Sequence, residues 1–301
     1  MNIKKGMQFC LIIFVMSGCY QTSLSTQQNG KGSALSKLPK LPELQSESQS
    51  LAIGEMSDFQ NFVSLLEDED TPLLQIGNYL YDVDNLQALY EYDEDMCNFI
   101  HYAASHGERQ VVELLIEKMG VPINIRSSHG KTALHFAAMG GWDDVVSYLL
   151  SKGADLNMKD YNGDTPVYYC IRYKYPSLAK VFIESDKALL MTQNDDGYSV
   201  LHMAAGFGFT ELIKILIKKQ PELINLANNH GETPLHIAVV EDFIDAVRLL
   251  INKGAALDIK DSEGCTALDV AKDKDFFAQP NNAEIIKLLT EKTEKTEKAK
   301  E

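Results

Sequence analysis

"HGETPLHIA" at residues 230–238 decides the reading of this chain, because "HGKTALHFA" at 129–137 repeats it almost letter for letter. The copies lie 101 residues apart, which is three periods of a shorter rhythm. That rhythm gives "NFIH" at 98, "TALH" at 132, "TPVY" at 165, "SVLH" at 199, "TPLH" at 233 and "TALD" at 266, in steps of 34, 33, 34, 34 and 33 residues. Glycines keep the same time two places earlier, at Gly130, Gly163, Gly197, Gly231 and Gly264.

Each letter has a physical reason. Glycine before the threonine supplies a backbone conformation that costs other residues. Threonine or serine caps a helix start, and proline at the next position suits the first turn, where a missing N–H is no loss. Small pairs follow at Ala103–Ala104, Ala137–Ala138 and Ala204–Ala205, which lets neighbouring helices approach closely. A second apolar run ("VVELLI", "VVSYLL", "LIKILI", "AVRLLI") gives each unit an amphipathic second helix. One unit cannot bury that stripe alone, so stacking is required. The pattern resembles the ankyrin repeat, a turn plus two antiparallel helices, over residues 98–290. The expected fold is all-α: an ankyrin-repeat solenoid of stacked helix–turn–helix layers with turn or hairpin tips, preceded by a disordered tether.

A histidine three places after a threonine could be a metal ligand, a base or a structural pin. His101, His135, His202 and His236 recur at one register, and helices pack about 8–10 Å apart. Imidazoles so spaced do not converge on one ion, whose Zn–N bonds are about 2.0–2.1 Å. The resemblance implies that this histidine hydrogen-bonds within and between turns, so Thr132, His135, Thr165, His202, Thr233 and His236 are assigned structural roles and no metal or cofactor is expected. No HExxH, CxxC, phosphate loop or Gly-x-Ser-x-Gly occurs, and no catalytic residue is assigned. Cys97 and Cys265 share a register five layers apart, too far for a disulfide, and Cys170 takes a small-pair position as a core thiol. The third unit departs most, with Tyr168 in place of histidine, Ile171 in place of the second small residue and Lys174 in place of a glycine.

Outside the repeats, "MNIKKGMQFCLIIFVMSGCY" has a basic start, an apolar run from Met7 to Met16 and small residues before Cys19. That is a secretory signal by its three parts, and "VMSGC" resembles the bacterial lipobox, which implies lipidation of Cys19. The expected organisation is therefore a lipoprotein signal peptide (1–18), a lipid-anchored flexible linker (19–55), an acidic helical cap (56–97), six ankyrin repeats (98–290) and a charged tail (291–301). A calcium site in "DVDNL" fails because Leu86 stands where a third oxygen ligand should be. Tyr20 after the cysteine implies an outer-membrane lipoprotein facing the periplasm of a bacterial envelope.

Without residues 1–18 the chain carries 26 basic residues against 43 acidic, and twelve of the acids fall between Glu55 and Asp95, where no Lys or Arg occurs. Such a field disfavours nucleic acid and favours a basic protein partner. A monomer is expected. Repeats of this family bind other proteins with turn tips and the exposed end of the first helix. The corresponding positions are His129, Lys131, Met139, Tyr161, Asp164, Arg172, Tyr173, Asp195, Tyr198, Phe207, His230 and Glu232, with His106 and Glu241 at the margins. Tyr161, Arg172, Tyr173, Tyr198 and Phe207 are residue types that dominate binding hot spots, which centres the expected groove on the third and fourth units. The function expected is a non-enzymatic, envelope-tethered binding module, with an acidic immunity protein against a basic toxin or enzyme, and a host-directed effector, as alternatives.

Overall fold

The computed structural model describes residues 99–273 and 280–298. The expected signal peptide, Cys19, the linker, the acidic cap and Cys97 lie outside the described residues. Twelve α-helices follow in the order α1 (Phe99–Ser105), α2 (Arg109–Glu117), α3 (Ala133–Gly140), α4 (Asp143–Ser151), α5 (Pro166–Arg172), α6 (Pro176–Glu184), α7 (Val200–Gly206), α8 (Thr210–Lys219), α9 (Pro234–Val240), α10 (Ile244–Asn252), α11 (Ala267–Lys272) and α12 (Asn282–Lys298) among the described residues. Extended pairing there is confined to isolated bridges, Gln193 with Ser199 and Lys260 with Thr266. The all-α expectation holds.

Odd-numbered helices form one continuous stack, α1 on α3 on α5 on α7 on α9 on α11, and each even-numbered helix packs behind its own partner. The sequence explains the two layers. In α3 the buried set is Ala133, Leu134, His135, Ala137 and Ala138, five of its eight residues, because it is covered by a layer on each side and by α4 behind. The second helices bury one stripe only, Val145, Val146, Tyr148 and Leu149 in α4 and Leu212, Ile213, Leu216 and Ile217 in α8. Phe99, Leu115, Leu134, Leu149, Ile171, Phe182, Leu201 and Leu212 are fully buried, and each such side chain contributes about 1.5–3 kcal/mol. Alanine at the small pair has no exposure at 103, 104, 137, 138, 204 and 205, which lets the first helices stack closely.

The third unit keeps this architecture despite its departures. Cys170 and Ile171 fill the small-pair positions and are fully buried, and burial pushes the Cys170 thiol well above its ordinary range. Lys174 adopts φ 64 where the first, second and fourth units place Gly107, Gly141 and Gly208, and Asp242 does the same at φ 60 in the fifth. After α8 a 3-10 turn at Pro221–Asn225 tucks Leu223 and Ile224 under the layer. The last helix, α12, runs unbroken through position 290 to Lys298, so the charged tail starts as its continuation and not at a structural boundary. Ile285 and Leu289 anchor it to the core, Arg248 pairs with Glu284 at 2.6 Å, and the Asn281 side chain and amide bind Asp242 at 3.0 Å.

Candidate functional site

The turn tips that precede the odd helices share one construction. In each, an Asx or serine side chain two residues before the next tip residue gathers amides. The Asp160 carboxylate accepts the Asn162 and Asp164 amides at 2.9 and 3.0 Å, and Asn228 accepts those of His230 and Glu232, both at 2.9 Å. Asp261 does the same for Glu263 and Cys265. The chain closes on itself below, Asp160 N to Asp164 O at 2.9 Å, and Gly163 makes the turn at φ 75. Neighbouring tips are then stitched together: Tyr161 N donates to His129 O at 3.0 Å, Asp195 N to Asn162 O at 3.0 Å, Asn229 N to Asp196 O at 3.1 Å and Ser262 N to His230 O at 2.8 Å. These backbone bonds hold five consecutive tips in one row.

Histidines tie the tips to the helices. The Nδ1 of His135 accepts the Thr132 amide at 3.0 Å and its Nε2 lies 3.2 Å from Asp164 O in the next unit. His202 makes the same pair with Ser199 and Glu232, and His236 with Thr233 and Cys265. His101 reaches Ile125 O at 3.1 Å. Thr165 caps α5 in the same extended conformation, and Tyr168 stands in for the missing imidazole, its hydroxyl donating to the carbonyls of Thr192 and Tyr198. Burial pulls the pKa of His135 and of His202 down to about 4, so both are neutral at physiological pH.

Of the twelve expected surface positions, His129, Tyr161, Tyr173, Asp195 and His230 are exposed, and Lys131, Met139, Arg172, Tyr198, Phe207 and Glu232 are half-buried. Asp164 corrects the expectation. Its carboxylate is only 2 % exposed, because it turns inward between layers to accept Asn194 Nδ2 at 2.9 Å beside Arg172 at 3.7 Å. Burial raises its pKa. Glu232 is also engaged, accepting Asn228 Nδ2 at 2.7 Å.

The residues brought together are those around Tyr169, which the sequence reading did not single out. Its hydroxyl donates to Asp160 at 2.5 Å. Its ring stacks on Tyr173 with centroids 6.4 Å apart, and Lys131 Nζ and Arg172 Cζ lie 5.2 and 5.9 Å from its centroid. Arg126 covers Tyr161 in the same way at 5.3 Å.

A second set escaped notice at the far end of the odd helices. Trp142, Tyr175, Phe209 and Phe243 each precede an even helix, and they recur at spacings of 33, 34 and 34 residues. Three of them lie against the turn of the unit before: an added Cβ would meet the Trp142 ring at 2.6 Å from Gly107, Tyr175 at 2.5 Å from Gly141 and Phe243 at 2.5 Å from Gly208. Trp142 and Phe243 remain 39 % and 38 % exposed, and Phe207 stacks on Phe209 at 6.1 Å. The aromatic periodicity alone would have revealed this row.

No three His, Cys, Asp or Glu side chains among the described residues are grouped to hold a metal ion, and no helix there is long and apolar enough to cross a membrane. Comparison with known proteins gives the same architecture. The family model for ankyrin repeats (3 copies) matches residues 67–160, 100–192, 187–261 and 225–299, and so takes in part of the stretch read as an acidic cap. The target of rapamycin complex 2 subunit AVO2 of Saccharomyces cerevisiae is 30 % identical over 118 residues, 39 % of this chain and 26 % of that protein. The tyrosine-protein kinase Shark of Drosophila melanogaster is 32 % identical over 111 residues, 37 % of this chain and 12 % of its own length. The chain thus spans a minor part of these relatives. One chain of the solved complex of the predatory endopeptidase Bd0816 from Bdellovibrio bacteriovorus with the immunity protein Bd3460 superimposes with a TM-score of 0.57 at 30 % identity. It covers 67 % of this chain and 99 % of its own length. By fold, repeat phase and family match, the chain belongs to the ankyrin repeat family, whose arrays serve as protein-interaction scaffolds.

Proposed function

We propose that this protein is a non-enzymatic binding module, held at a bacterial envelope by lipid on Cys19, and that it acts as an immunity-type inhibitor of a partner enzyme or toxin. The observation that carries the binding role is the stitched row of tips bearing Tyr161, 66 % exposed, together with Tyr173, 40 % exposed, at the other end of α5. Large aromatics fixed on a stitched scaffold lose little entropy on binding, so most of their contact area contributes to affinity.

The immunity reading draws support from the solved neighbour, a complex of an endopeptidase with an immunity protein, in which one chain matches almost end to end. The acidic balance of the chain fits a partner that is basic as a whole. Envelope anchorage rests on the basic start, apolar run and "VMSGC" of residues 1–19. One acyl chain anchors only reversibly and two or more hold firmly.

Two measurements on the full-length protein expressed in a bacterium test this. The mass of the mature N-terminus should show a lipidated Cys19, and an intact Met1 would overturn anchorage. Crosslinking in intact envelopes should capture one protein whose activity falls on titration with this chain. A captured partner whose activity is unchanged would leave a scaffold and remove the inhibitor.

A further inference from the structure

The net charge of −15 hides a polarity along the inner face. The second and third units carry Arg126, Lys131, Lys159 and Arg172 there, and their charges are not taken up by surface acids. Arg126 Nη2 donates to Lys159 O at 2.6 Å, Lys159 Nζ donates to Gln193 O at 2.7 Å, and Lys131 Nζ rests over the Tyr169 ring. The two acids in this sector are withdrawn: Asp160 is buried under the Tyr169 hydroxyl and two amides, and Asp164 is buried against Asn194 and Arg172. What faces outward is cationic and aromatic. The tips of the next three units have the opposite sign. Asp195, Asp196 and Glu263 are exposed and Glu232 is half-buried, against Lys260.

We propose that this face is a dipolar docking surface, in which Arg126, Lys131 and Arg172, set among Tyr161, Tyr169 and Tyr173, receive acidic side chains of a protein partner while the tips of units four to six receive its basic ones. The occupant is a protein whose docking face carries an acidic patch next to a basic one. Complementary potentials of both signs fix the direction in which the partner lies along the array, since reversal sets like charges together. Cations already resting on ring faces are partly desolvated and held, so a carboxylate seated on them gains more than it would from a mobile surface lysine. The inference rests on the binding-module reading and refines it, because bulk charge alone would select only a basic partner.

Peptides of alternating Glu–Tyr, Lys–Tyr and Gln–Tyr, blocked at both ends, probe the two sectors in the full-length protein by fluorescence anisotropy. The Glu–Tyr peptide should bind at least about tenfold more tightly than Gln–Tyr at low salt and weaken steeply as screening rises. K131Q/R172Q should abolish that preference and leave Lys–Tyr binding unchanged, whereas D195N/E232Q/E263Q should do the reverse. Lys131→Gln alone guards against unfolding, since Arg172 lies beside buried Asp164 and Lys131 does not contact it in an ion pair. No preference for Glu–Tyr, or one that survives K131Q/R172Q, overturns the dipolar face. Failure of the whole protein to capture any partner in envelopes would instead overturn the binding-module reading.

Discussion

The Nε2 of His202 donates to the carbonyl oxygen of Glu232, 3.0 Å away in the next unit. The proton must sit on Nε2, because Nδ1 already accepts the Ser199 amide at 3.1 Å. The neutral imidazole therefore has one acceptor and one donor, both used, and each belongs to a different layer. A second proton on Nδ1 would turn an acceptor into a donor facing an amide.

That geometry sets an acid limit on stability. Burial holds His135 and His202 down at about 4, against an ordinary 6.5, and lowers His236 as well. Unfolded histidines bind more protons than folded ones between those values, so stability is full above about pH 6.5 and falls as pH drops through the window. At about pH 5 the loss is about 2 kcal/mol for each of the two. Asp164, raised by burial above the ordinary carboxylate value, acts with the opposite sign and offsets part of this loss as pH falls. The urea midpoint should fall clearly between about pH 7.5 and pH 5. An unchanged midpoint would mean that the imidazoles accept a proton in place.

Tyr168 gives a second test of the same link. Its hydroxyl reaches Thr192 O at 3.1 Å and also donates to Tyr198 O. Tyr168→Phe keeps the ring and strands those carbonyls, which should cost about 1–3 kcal/mol. Loss of less than about 0.5 kcal/mol in denaturant titration would show that water takes over the contact.

The repeat phase was legible because glycine, threonine and histidine each answer a local demand of the turn or the cap, and such demands recur with the period. Tip orientation was less so. Asp164 occupies a position expected at the surface, yet Asn194 and Arg172 in later parts of the chain draw its carboxylate inward. Nothing at position 164 itself encodes that. The cluster around Tyr169 was hidden for the same reason, since it joins side chains of two units. By contrast, the row of Trp142, Tyr175, Phe209 and Phe243 is written in the period, beside the stronger glycine signal. The stretches before residue 99 bear on anchorage and on the acidic cap, and they lie outside the described residues.

The turns between paired helices invite a pair of opposite substitutions. Gly141 has φ 71, and a Cβ there would meet the Tyr175 ring at 2.5 Å. Gly141→Ala should destabilise by at least about 2 kcal/mol, from the left-handed backbone and the ring together. Lys174 occupies the equivalent turn at φ 64, where a side chain costs about 1–2 kcal/mol and glycine returns part of this as chain entropy. Lys174→Gly should therefore stabilise by about 0.5–1 kcal/mol. Thermal unfolding checks both, and destabilisation by Lys174→Gly would show that the lysine stem packs usefully on its neighbours.

Separating docking from folding requires variants that touch one and not the other. Tyr173 is 40 % exposed and its ring stacks on Tyr169, while Phe207 stacks on Phe209 at the same end of the neighbouring helix. Truncating an anchor in a binding face costs about 2 kcal/mol or more of affinity, whereas an exposed side chain changes stability by about 0.5 kcal/mol or less. Tyr173→Ala should weaken partner capture in envelopes and leave the melting curve nearly unchanged, and adding Phe207→Ala, whose half-buried ring packs on the core, should abolish capture and also lower the melting temperature. Phe182→Ala supplies the contrast, since that ring is fully buried and its loss should cost about 3–5 kcal/mol without altering the inner face. Capture that survives the double substitution but fails in Trp142→Ala or Phe243→Ala would move the partner from the centre of the groove to the outer aromatic row.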